Sequence, residues 1–140
     1  MIKTLKLLEE KNMYLEKFLG LNRERLDHLL KGDFADLERF RGDREMILNI
    51  VKHIDSLIEA RSKDVNDDDI DASAKQKVSM MLQRKDSLVK SILSQDIDIM
   101  QIIEKAKSEI ILELRKVSSA RRTIGQFKSQ TRKDIVDEEV

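Results

Sequence analysis

Apolar residues recur along this chain at three, four or seven residues, the period of a helix face. Leu5, Leu8, Leu15, Leu19, Leu26 and Leu29 open the pattern, with Asn12 and Asn22 filling polar gaps in the same register. At 100° per residue these positions share one face, the signature of an amphipathic helix. Lys31-Gly32-Asp33 closes the run. Glycine is the usual residue just past a helix end, and Asp33 can accept from the free N–H groups of a following helix. Leu37, Phe40, Ile47, Val51, Ile54 and Ile58 then carry a second period, which stops near Arg61. The 140 residues hold no proline and four glycines, so the residues that punctuate hairpins and turns are nearly missing. Sandwiches, barrels and doubly wound sheets are thereby excluded.

A third and longer run follows residues 62–72, an aperiodic stretch with five carboxylates that reads as an acidic loop. Ser73 stands three residues before Gln76, the spacing of a capping box. Val78, Met81, Leu88, Ile92, Ile99, Ile103, Ala106, Ile110, Leu114, Val117, Ile124 and Phe127 keep a near-heptad register after it. Helices are expected over about 2–31, 33–61 and 73–128, followed by a frayed tail at 131–140. The last helix is long enough to pair with the first two laid end to end. Alternatively it breaks around Ser91–Asp96, where two serines and an aspartate compete for backbone hydrogen bonds. The expected fold is all-α: one helical domain over 1–130, an antiparallel helical hairpin or a four-helix bundle built from long amphipathic helices.

Chemistry is hard to place on this chain. With no cysteine there is no disulfide scaffold, Cys-ligated zinc site or thiol nucleophile. An EF-hand frame started at Asp64 puts Asp69 where the turn needs glycine and Lys75 where a bidentate Glu must close the shell. A di-iron bundle wants Glu three residues before each His, and Arg25 and Ile50 stand there before His28 and His53. Neither a phosphate-binding glycine loop nor His-Glu-x-x-His occurs. The expectation is a non-enzyme without metal or cofactor. The 27 basic and 27 acidic side chains cancel, so no global charge draws the chain to nucleic acid. No apolar run exceeds four residues, and the N-terminal decapeptide has no signal-like apolar core, which predicts a soluble cytoplasmic protein without membrane insertion.

Beside the main stripe lies a second apolar row. Leu7, Tyr14, Phe18 and Leu21 form it in the first helix, Met46, Ile50 and Leu57 in the second, and Met100 and Ile111 lie off the main face of the last. An arc this wide exceeds what a two-helix seam buries, so part of it is either bundle core or surface for a partner. Seven basic residues and no acidic one fall between Arg115 and Lys133. They form either a solvated face or a docking surface. Phe127 is the only aromatic nearby and belongs to the apolar register, so a stacking platform for nucleic acid is missing.

Two segments resemble a known family. Lys31-Gly32-Asp33-Phe34-x-x-Leu37-x-x-Phe40-x-x-x-Arg44-x-x-Ile47 after a leucine-rich helix resembles the flagellar export chaperones of the FliT and FlgN type. Ile92-Leu93-Ser94-Gln95-Asp96-Ile97, followed by Ser118-Ser119-Ala120-Arg121-Arg122-Thr123-Ile124-Gly125-Gln126-Phe127, resembles their closing helix and basic segment. The terminal aromatic is commonly Tyr in that family, and Phe127 stands there. The resemblance implies a cytoplasmic chaperone that holds the amphipathic C-terminal helix of a late flagellar axial protein and delivers it to the export apparatus. Its apolar grip would be Ile103, Ile110, Leu114, Val117, Ile124 and Phe127, with Ile111 beside them and Arg121 and Arg122 as docking charges. The competing expectation is a coiled-coil assembly adaptor, a homodimer in which Asn12 and Asn22 set the register.

Overall fold

The computed structural model describes residues 2–63 and 71–139, with side chains through residue 129. Its elements are all helices: α1 (Ile2–Leu30), α2 (Leu37–Ser62) and α3 (Ala72–Glu139). Helix α3 passes through Ser91–Asp96 without a break, so there are three helices among the described residues and not four. Serine and aspartate compete with the helix only when their side chains turn to the backbone, and Asp96 is engaged by side chains of α1 and α2 instead. α3 also remains helical to Glu139, past the expected end at 128 and through the segment read as a frayed tail, where neither Gly nor Pro interrupts the backbone. Residues 64–70, most of the acidic loop, lie outside the described residues. The start of α3 is capped by Asp71, whose Oδ1 accepts the Ala74 N–H at 2.6 Å, in place of the Ser73 box.

The chain divides into two compact units, Met1–Gln101 and Ile102–Val140, where one domain to 130 was expected. Polar contacts give the topology of the first. Lys11 Nζ reaches Asp55 Oδ1 at 2.6 Å and Arg25 Nη1 donates to the Ala35 carbonyl at 2.7 Å, so α1 and α2 run antiparallel and side by side. Asn12 Nδ2 donates to the Met81 carbonyl at 3.1 Å, and Arg84 Nη2 meets Glu16 Oε1 at 2.8 Å, which sets α3 parallel to α1. α1 and α2 are therefore not laid end to end along α3. A helix of 29 residues beside another of 26 can accompany only about that length of a 68-residue helix, at 1.5 Å per residue in each.

Between the three helices Leu15, Phe18, Val51, Leu88 and Ile92 form the core, with Tyr14, Leu19 and Ile47 packed against it. Leu8, Leu29, Phe40, Ile54 and Ile99 are also buried. Burial of one such side chain contributes about 1.5–3 kcal/mol, which is why the stripe rather than helix propensity organises the unit.

The α1–α2 connection follows from Gly32. Its φ of 83° is left-handed, and it lets Gly32 N–H reach the Leu29 carbonyl at 3.0 Å and Asp33 N–H reach the His28 carbonyl at 2.9 Å. Those two bonds satisfy the last carbonyls of α1 in a Schellman turn. Asp33 Oδ1 accepts the Ala35 N–H at 3.0 Å, so its carboxylate braces the turn and does not cap α2, which begins four residues later at Leu37. That backbone bond, aided by the charge of nearby His28, holds the Asp33 pKa below its ordinary value, against a smaller effect of desolvation.

Candidate docking surface

The apolar register of α3 is uniform, but its burial is not. Leu88, Ile92 and Ile99 are buried, and Ile103 and Ala106 are half-buried. From Ile110 to Ser129 every residue is exposed. Ile110, Leu114 and Ile124 each show more than half of their surface, and Val117 and Ile111 somewhat less. Ile103, Ile110, Val117 and Ile124 are seven residues apart and fall in one line along the helix, with Leu114 next to it. Ile111 is displaced from that line by about a quarter turn. Arg121 follows Val117 by four residues and precedes Ile124 by three, which sets it on the rim of the stripe; Arg122 lies a further 100° round. Both arginines are exposed, and no ion pair holds either among the described residues. Phe127 is exposed at the end of the same stripe. Five of the expected grip residues (Ile103, Ile110, Leu114, Val117 and Ile124) thus share one face, while Ile111 and Arg122 sit to its side.

The second apolar row has a divided fate. Phe18 belongs to the core, Leu7, Tyr14, Leu21 and Ile50 are half-buried, and Met46, Leu57 and Met100 are exposed. Leu21, Met46 and Ile47 line a cleft of about 390 Å³ between α1 and α2, rimmed by Lys17 and Asp43. A charged cleft of about 410 Å³ adjoins it at the α1–α2 turn, where Glu24, Arg25, His28, Asp33 and Arg39 meet. Among the described residues no three His, Cys, Asp or Glu side chains gather as metal ligands, and no helix is long and apolar enough to cross a membrane.

A polar node escaped the sequence reading. Asp96 Oδ1 accepts from Asn22 Nδ2 and from Arg44 Nη2, both at 2.9 Å, and so links α1, α2 and α3 through one atom. The Arg44 guanidinium lies over the rings of Phe18 and Phe40, 4.7 and 5.2 Å from their centroids, a cation–π arrangement. Arg25 flanks Phe40 as well, at 5.3 Å. Asn22 is fully buried, yet its Oδ1 accepts nothing, and the Nε atoms of Arg25 and Arg44 and Gln95 Oε1 are likewise unpartnered. The node ties the three helices together through one carboxylate oxygen. Its sequence signal was present in Asn22, a polar residue inside an apolar register, but that signal names no partner.

No protein-family model, curated protein or solved structure matches the chain in comparison.

Proposed function

We propose that the chain is a helix-binding chaperone of the flagellar export type, which covers the amphipathic C-terminal helix of an axial protein before secretion and docks it to the export apparatus. The observation that carries this reading is the exposed stripe Ile110, Leu114, Val117 and Ile124 on α3. A solvent-facing apolar seam at heptad spacing is what a second amphipathic helix needs in order to pack by helix-in-groove recognition. The flagellar assignment rests on the resemblance of residues 31–47 and 92–127. Absence of a catalytic constellation in the sequence agrees with a protein that acts by binding.

Size-exclusion chromatography with light scattering tests the proposal. The purified chain, mixed in turn with the C-terminal helices of flagellar axial proteins, should form a one-to-one complex with at least one of them. Ile110→Asp with Leu114→Asp should abolish that complex and leave the circular dichroism melt unchanged. A dimer that ignores every peptide and melts at a concentration-dependent temperature would replace the chaperone by the self-associating coiled-coil adaptor.

A further inference from the structure

The exposed stripe of α3 carries charge on its borders, and that charge selects its occupant. Taking Ile103, Ile110, Val117 and Ile124 as the a positions of a heptad, Lys107, Arg121 and Lys128 occupy three of the four e positions beside the seam. The opposite border at g is mixed, with Glu109 one heptad before Lys116, and Glu113 occupies a d position inside the seam. All six side chains are exposed.

A second copy fits this arrangement poorly in either direction. Parallel pairing would face Glu113 with Glu113 of the copy across one d layer, and Lys116 with Arg121 of the copy across the border. Like charges placed so are repulsive, and a carboxylate pair in an apolar layer is costly. Antiparallel pairing that keeps the seam apposes Lys107 with Lys128 or Arg121 of the copy, and it leaves Glu113 against hydrocarbon. The remaining d positions include Ala106 and Ala120, small residues that leave room for large side chains from a different helix.

We infer that the face from Ile103 to Lys128 takes an amphipathic helix with an acidic border toward Lys107, Arg121 and Lys128, large apolar residues over Ala106 and Ala120, and one basic residue opposite Glu113. This inference rests on the helix-capture reading above and adds the chemistry of the captured helix. The matching segment is about 26 residues, or about 39 Å of helix at 1.5 Å per residue.

Two synthetic 26-residue helices with the same leucine seam provide the test. One carries Glu on the border that meets Lys107, Arg121 and Lys128, and Lys opposite Glu113; the other carries the reverse charges. Fluorescence anisotropy against the full chain should show the acid-bordered peptide binding on the order of tenfold tighter at low salt, an advantage that shrinks in 0.5 M salt as screening shortens. Arg121→Glu with Lys128→Glu should reverse the preference, and its melting curve should stay that of the wild type because both side chains are exposed. Equal affinity for the two peptides would overturn the charge assignment and leave helix capture standing. If neither peptide binds and light scattering shows a dimer, both readings fail. Tighter binding of a DNA duplex or of anionic phospholipid vesicles than of the acid-bordered peptide would overturn the inference in favour of a polyanion surface.

Discussion

Leu88 and Ile110 occupy the same apolar stripe of the same helix, and they live in different solvents. Leu88 packs among Leu15, Phe18, Val51 and Ile92, while Ile110 faces water with more than half of its surface. Nothing intrinsic to the two stretches of α3 explains this, since both keep the heptad and both are helical throughout. What differs is supply. α1 and α2 pack on the stretch of α3 that belongs to their own unit, while Ile110 to Ser129 is exposed throughout. An amphipathic pattern states that a face seeks cover; the number and length of the other helices decide whether the chain provides it. Surplus stripe is the surface that the proposed helix capture would use.

The comparison breaks most visibly in the core. Leu88→Ala should destabilise the protein by about 2–5 kcal/mol in chemical denaturation, the usual range for a buried leucine truncated to alanine. Ile110→Ala should stay within about 0.5 kcal/mol, as for a surface substitution. Comparable losses at both positions would mean that the two stretches are equally covered.

Next in size is the polar node, which belongs to the first unit alone. Asp96→Ala removes the shared acceptor and strands Asn22 Nδ2 and the Arg44 guanidinium, at a cost of about 1–3 kcal/mol. Asp98→Ala, one turn-face away on an exposed position, should be near neutral in the same assay.

Gly20 and Gly42 sharpen the contrast from the opposite side. Both sit inside helices of the first unit, and a Cβ at either would meet open space. Gly20→Ala and Gly42→Ala should each stabilise by about 0.5–1 kcal/mol, seen as a raised melting temperature. Helix capture at α3 should survive both, because neither site is on its face.

The smallest effect is confined to the α1–α2 turn. The lowered pKa of Asp33 means that its charged form is favoured in the fold, so its contribution is complete above the ordinary aspartate value of 3.8 and is lost as pH falls through the lower folded value. The difference in melting temperature between wild type and Asp33→Asn should therefore be measurable near neutrality and vanish in the acid range below that value.

Much of this architecture was legible in the spacing of apolar residues. Leu8, Leu15, Leu29, Val51, Ile54, Leu88, Ile92 and Ile99 are all register positions and all buried, because periodicity records which face must leave water. Gly32 was legible as a helix end for the steric reason that glycine tolerates the left-handed backbone. The start of α2 was misplaced since Asp33 has the chemistry of a cap and is used to brace a turn instead. The division at Gln101 was invisible because the register crosses it unchanged. Asn22 and Arg44 meet their common partner Asp96 across 74 and 52 residues, and local pattern cannot pair residues across such separations. Ser91–Asp96 looked like a break for the same reason: a polar residue at a helix face has two readings until its neighbour is known.

Degeneracy is the hidden weakness of any repeating stripe. Slide α3 past α1 by one heptad and part of the pattern returns: the places of Leu88, Ile92 and Ile99 pass to Gln95, Ile99 and Ala106, or to Met81, Lys85 and Ile92. The node at Asp96 removes that ambiguity. A seven-residue slip would bring Val89 or Ile103 to its place, leaving Asn22 and Arg44 with no acceptor and a hydrocarbon to face. One carboxylate thus acts as an index mark on an otherwise repeating scale, and it determines which turn of α3 is the last to be kept inside the bundle and which is the first to be offered outside.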